Sequence, residues 1–157
     1  VECVHTVPCV GFLFSKTRTK LKPEYAGLPG KEIAALRKEG KDVSEVVTVP
    51  LFGFLGDSSV EVLERNPRIF RYPFIILECT FLEDEDFVLE RCSRDGHMCW
   101  PQIEPYVLAH QDTTFILIHF SCRYSEEEIQ QYFRKRSQSQ SLPNVVLHIT
   151  PQSEGRA

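Results

Sequence analysis

No apolar run in this 157-residue chain approaches the roughly 18 residues that a membrane-spanning helix needs. The longest β-like stretches, such as Thr114-Phe115-Ile116-Leu117-Ile118, are strand-sized. There is no Cys-x-x-Cys pair and no Asn-x-Ser/Thr sequon. The six cysteines (Cys3, Cys9, Cys79, Cys92, Cys99 and Cys122) show no framework spacing, and several sit in apolar runs, where cysteine behaves as a small hydrophobe. They read as reduced thiols, which excludes a disulfide-stapled secreted domain. The chain is therefore expected inside the cell, in the cytoplasm first, with the nucleus or an organelle matrix as alternatives. The first residues lack a basic region and a long apolar one, so Val1 to Phe14 reads as a strand rather than a signal peptide. Because the sequence starts at Val1 and not Met, its true start is expected upstream. No internal repeat or low-complexity domain is visible.

What is present is a globular composition, 42% hydrophobic and 25% charged, long enough for one domain with its own core. The formal charge of −4 does not by itself suggest a nucleic-acid binder. Its distribution says more. Between Lys16 and Lys41 lie eight basic residues (Lys16, Arg18, Lys20, Lys22, Lys31, Arg37, Lys38, Lys41) against three acidic ones, so that segment is +5 and the remainder −9. A basic arm on an acidic body can grip a phosphate backbone while the rest stays off it. The plainer alternative is a solvated loop with some lysines.

Along the chain, Cys3 to Phe14 reads as a bent strand interrupted by Pro8 and Gly11. Residues 15 to 30 have loop chemistry, and Lys31 to Glu39 a short helix stopped by Gly40. Val46 to Leu55 is a buried strand, and Ser58 or Ser59 can cap a helix from Val60 to Arg65. Phe74 to Phe81 is a second buried strand, and helical spacing runs from Trp100 to His110. Thr113 to Phe120 is a third. Ser125 and Glu128 form a capping box for a helix reaching about Arg136. Residues 137 to 141 read as a polar linker, Val145 to Ile149 as a last strand, and 150 to 157 as a disordered tail. The order β-arm-β-α-β-α-α-β-α-β predicts an α/β layered sheet.

Three polar groups fall at the ends of buried strands: Asp57, Glu78 and His119. His97 adds a fourth in the turn Asp95-Gly96-His97-Met98. Strand carboxyl ends are where α/β proteins build sites, and Asp with His suits zinc or manganese. Each has a bland alternative: Asp57 as a helix cap or Asx turn, His119 as a hydrogen-bonded core residue. Glu78 is harder to dismiss, because a buried carboxylate must find partners. His5 and His148 read as structural or exposed, and His110 as a helix C-terminal cap. The i, i+2 pair His97 and Cys99 is a weak metal motif without two further ligands.

At these residues the sequence resembles the tRNase Z family. Lys20-Leu21-Lys22-Pro23-Glu24-Tyr25 with Gly27-Leu28-Pro29-Gly30 resembles its substrate-binding arm, particularly in plant-type short forms. Phe54-Leu55-Gly56-Asp57-Ser58-Ser59 is similar to its F-x-G-D-T-[TS] motif, Glu78-Cys79-Thr80-Phe81 to its H-E-A-T loop, and Gly96-His97-Met98 to its G-H-[ST] loop. His119-Phe120-Ser121-Cys122-Arg123-Tyr124 is similar to H-F-S-x-R-Y, the most specific of the five. The resemblance implies a zinc-dependent endoribonuclease that processes the 3′ end of precursor tRNA. It implies two zinc ions in the complete site, with manganese as a substitute. Asp57 and His119 would be metal ligands, and Glu78 would orient a proton-donating His97. Ser121 and Arg123 would support the site or contact phosphate, while Lys20, Lys22 and Lys31 would bind RNA in the arm, residues 15 to 42.

The resemblance further implies that residues 1 to 149 are the C-terminal βα half of a metallo-β-lactamase αβ/βα sandwich. The family's H-x-H-x-D-H motif, which belongs to the N-terminal half, is absent. Ser58-Ser59, Leu77 and Cys99 also depart from common family residues. A lone C-terminal half would expose an apolar face meant for the other half. The chain is thus expected to need that missing half, to be inactive alone, and to assemble as a homodimer. The alternatives are a non-catalytic, RNA-binding remnant of such a nuclease, or a hydrolase of the same fold acting on a small ester.

Overall fold

The computed structural model describes residues 1–149. The tail expected to be disordered, 150–157, lies outside the described residues. Two compact units are present, Val1–Phe14 with Leu51 onward, and Ser15–Pro50. The fold is α/β, on a five-stranded sheet in the order β1-β2-β3-β4-β5: β1 Phe12–Leu21, β2 Ser44–Phe54, β3 Phe74–Glu78, β4 Thr114–Ile118 and β5 Val145–Leu147. The helices are α1 Gly30–Lys38, α2 Glu61–Arg65, α3 Asp86–Asp95, α4 Trp100–Ala109 and α5 Glu126–Ser139. Among the described residues no helix is long and apolar enough to cross a membrane.

In the larger unit β2, β3, β4 and β5 pair in parallel, each return passing through helix. One face carries Ile75, Leu77, Phe115 and Leu117, all fully buried. They share one core with Val62 and Leu63 of α2, Trp100, Ile103 and Val107 of α4, and Ile129 and Phe133 of α5. The opposite face differs. Phe54, Ile76, Ile116 and Val146 stand in register, one per strand, as an apolar row across the sheet. Phe54 and Val146 are exposed, and so is Phe74 on the same face. A parallel sheet is ordinarily covered on both faces. Among the described residues this one is covered by helices on one face.

The smaller unit, Ser15–Pro50, holds the outer parts of β1 and β2, a 3₁₀ turn at Pro23–Tyr25, and α1. Neither the turn nor α1 buries a residue; Val43 is the buried hydrophobe of this unit. Lys22 donates its N–H to the Val43 carbonyl (3.0 Å), and its ammonium lies 3.4 Å from Asp42. Lys16, Arg18, Lys20, Lys31 and Lys41 are exposed.

Several expected boundaries move. The first strand begins at Phe12 and runs through residues 15–21, which composition assigned to loop. Its Thr-Arg-Thr-Lys stretch favours extended backbone through Thr, and the breakers cluster only after Lys22. Ahead of it, residues 1–11 form a small turn closed by a bridge between Glu2 and Val10. β3 stops at Glu78, with only an isolated bridge from Phe81 to Cys99 beyond it. Neither Ser58 nor Ser59 caps α2, whose N-cap position is Val60 with no side-chain cap. The Ser58 hydroxyl accepts from Val4 N–H at 2.9 Å instead, so its cap chemistry serves another loop. The Ser125–Glu128 box is found as expected, but α5 runs to Ser139 and absorbs part of the expected linker. His110 follows α4, donating its N–H to Tyr106 O (3.0 Å) and stacking its ring on Phe70 at 3.8 Å.

Candidate active site

The site is built around a buried carboxylate. Glu78 is the last residue of β3, 0% exposed, on the same sheet face as Ile76 but walled in by three loops. Ser58 N–H donates to its Oε1 at 2.7 Å; Thr80 Oγ1–H and Met98 N–H donate to its Oε2 at 2.5 and 3.2 Å. His97 Nδ1 lies 3.0 Å from both oxygens. Four donors from three separate segments therefore converge on one group. That answers the desolvation cost of a buried carboxylate.

His97 reaches Glu78 because α3 ends where it does. Gly96 sits at the α3 C-cap with φ 78°, and the N–H groups of Gly96 and His97 both donate to Cys92 O, at 3.0 and 2.9 Å. The left-handed residue turns the chain so that Met98 O accepts from Thr80 N–H and Met98 N–H meets Glu78. Gly96 is constrained a second way: a Cβ there would lie 2.8 Å from His5 Cα and 3.1 Å from Thr6 N. Gly96→Ala is expected to destabilise by more than about 2 kcal/mol. About 1–2 kcal/mol of that is left-handed strain, and the rest is a clash with backbone that cannot retreat. Urea denaturation checks this against Gly56→Ala, where φ is also positive but a Cβ meets nothing closer than 3.8 Å, so strain acts alone.

His119 follows β4 with φ 60°, the only positive φ at a non-glycine among the described residues. Such strain concentrates at functional sites. Here it turns the ring out of the strand toward His97, with ring centroids 5.6 Å apart. His119 Nδ1 is 3.1 Å from Thr80 Oγ1 and 3.7 Å from Asp57 Oδ1. The Thr80 hydroxyl has one proton, and the Glu78 carboxylate can only accept it. Thr80 oxygen must then accept from His119 Nδ1–H, and this assignment leaves Nε2 with its lone pair outward. A second group holding one imidazole nitrogen is what orients a metal-ligating histidine.

Glu78, His97 and His119 place ligand atoms within 4.8 Å of one another. The chemistry separates them. Glu78 already serves four donors, and His97 Nδ1 is committed to it. His119 Nε2 and the half-exposed Asp57 carboxylate have free capacity toward a cation side by side, and His97 also keeps its Nε2 free. Two donors fit part of a zinc or manganese site, since a zinc site is commonly four-coordinate.

The structure thus brings together Asp57, Glu78, His97 and His119. Ser121 stands beside them, donating its N–H to Thr80 O at 2.9 Å. Arg123 is turned away: its guanidinium stacks over Phe81 at 4.5 Å and lies 3.8 Å from Glu83. Tyr124 hydrogen-bonds Glu83 as well, and burial and that bond push its hydroxyl pKa up. Lys20, Lys22 and Lys31 belong to the other compact unit. Sequence reasoning set His5 aside as structural or exposed, but its half-buried ring lies edge-on to His97 at 5.3 Å. No local motif signals this, because His5 meets His97 only where its turn packs against Gly96, some ninety residues on in the chain. None of the six cysteines forms a disulfide; burial raises the Cys3 pKa to about 11.

No protein-family model matches the chain. It is 33% identical over 153 residues to the chloroplastic tRNase Z TRZ2 of Arabidopsis thaliana, covering 96% of this chain and 42% of that protein. It is 31% identical over 154 residues to tRNase Z TRZ1 of the same plant, covering 97% and 50%. A 44-residue stretch is 41% identical to a nuclear ribonuclease Z of Triticum aestivum, covering 28% of this chain and 25% of that protein. The chain spans about half the length of the two Arabidopsis relatives.

Proposed function

We propose that this chain, which belongs to the tRNase Z family, supplies the proton-donating half of a metal-dependent nuclease that cuts precursor tRNA at its 3′ end. The observation that carries the reading is the Glu78–His97 pair, fully assembled beside His119 and Asp57. Glu78 fixes the His97 ring through Nδ1 and leaves Nε2 to face the reacting phosphate. In the charged state Nε2–H gives its proton to the departing 3′ oxygen, so that no alkoxide has to leave. Asp57 and His119 would hold part of a zinc or manganese site; a bound divalent ion would make water a stronger nucleophile and offset phosphate charge. Ser121 would support phosphate, whereas Arg123 would first have to leave Glu83. The exposed lysines of residues 15–50, including Lys20 and Lys31, would hold the RNA through its backbone.

The remaining ligands would come from the other half of the sandwich, seated on the open apolar row Phe54–Ile76–Ile116–Val146. A non-catalytic remnant would keep the Glu78 cage for stability, but it would have no use for the outward-facing donors of Asp57, His97 and His119 beside it. The test is metal content by elemental analysis, followed by precursor tRNA cleavage. The chain joined to its other half should bind about two ions and release the 3′ trailer in one cut. The chain alone should cut nothing. A joined protein that binds its metal and leaves precursor tRNA intact would overturn the reading.

A further inference from the structure

Next to His119 lies a cavity of about 430 Å³, between the loop after β4, the start of α5 and the end of β5. Its lining is of two kinds: Phe120, Tyr124 and Ile129 are aromatic or apolar, and Ser121, Glu126 and His148 are polar. None of Phe120, Glu126 and His148 has a part in the chemistry described above. Planar heteroaromatic rings suit such a mixed wall, with a face on aromatic carbon and an edge on hydrogen-bonding groups.

Glu126 narrows the choice of ring. Gln130 Nε2 donates to its Oε1 at 2.9 Å, which leaves Oε2 as an acceptor and offers no donor. An acceptor-only group matches an exocyclic amino group, as carried by cytosine and adenine, and mismatches the carbonyl that uracil has in its place. We propose that this cavity is a nucleobase subsite for the nucleotide next to the cut phosphate, and that Glu126 makes it prefer an amino-bearing base. The proposal rests on the nuclease reading, because a phosphate facing His97 Nε2, beside His119, is what brings a nucleotide to the cavity mouth.

Cytidine 5′-monophosphate, uridine 5′-monophosphate and inorganic phosphate can each be titrated into the 157-residue chain while the His148 and Tyr124 ring resonances are followed. Cytidine monophosphate should move both sets of signals and bind about tenfold tighter than the uridine analogue, the effect of one hydrogen bond to a charged acceptor. Glu126→Gln, on an exposed helix turn, should erase that preference, because an amide can donate as well as accept. His148→Ala should weaken both nucleotides. Equal binding of the two nucleotides, phosphate moving the same signals as strongly, or shifts confined to residues 15–50 would each overturn the proposal. Precursor tRNA cleavage is read separately. Cleavage without cavity shifts removes the subsite and leaves the nuclease; cavity shifts in a protein that cuts no RNA do the reverse.

Discussion

Replacing Glu78 with alanine should cost about 3–5 kcal/mol of folding stability, the range for removing one partner of a buried charged network. The fully buried side chain leaves Ser58 N–H, Thr80 Oγ1, Met98 N–H and His97 Nδ1 facing a gap. Each loses an acceptor to which it was bound in a site closed to water. With a urea m-value of about 2 kcal/mol/M, the midpoint should fall by roughly 2 M. Glu78→Gln keeps the volume but turns an NH₂ toward groups that are themselves donors, so it should recover only part of the loss. A shift below about 0.5 M for the alanine variant would show that the cage does not hold the loops together.

His97→Asn separates chemistry from architecture. The asparagine amide can reach Glu78 much as Nδ1 does, but nothing replaces Nε2. Stability should change by about 1 kcal/mol or less. In the joined, metal-loaded protein, kcat on precursor tRNA should fall by about 10²–10⁴, the usual contribution of a general acid, with KM little changed. Bis(p-nitrophenyl) phosphate gives a sharper reading. Its leaving group departs without a proton, so His97→Asn should slow it far less than it slows RNA. Equal losses on both substrates would mean that His97 holds the site together rather than donating a proton.

Strand positions were legible because period and burial agree: Phe74 onward and Thr114 onward are uninterrupted apolar segments, and both are parallel strands of the centre. The Ser125–Glu128 box was legible because its chemistry is local. α3 had a place in the predicted order but no bounds. Its Asp-Phe-Val-Leu-Glu-Arg-Cys-Ser-Arg-Asp sequence buries only Val88 and Cys92, too few for a clear helical stripe. Asp57, Glu78, His97 and His119 could be singled out as candidates, but the wiring among them could not. Whether Ser58 caps a helix or lends its N–H to Glu78 twenty residues away depends on where β3 lies beside β2. The same holds for His5, which nothing in its own neighbourhood connects to His97.

The left-handed backbone at His119 also restricts what could replace it in a redesigned metal centre. With φ at 60°, the position admits asparagine, aspartate and histidine more readily than other residues that carry a side chain. Cysteine or glutamate, the usual choices for retuning toward a softer or harder ion, would have to bear conformational strain before donating a single electron pair. Aspartate is then the one anionic donor the chain accepts there without moving, which biases any exchange toward oxygen-loving metals.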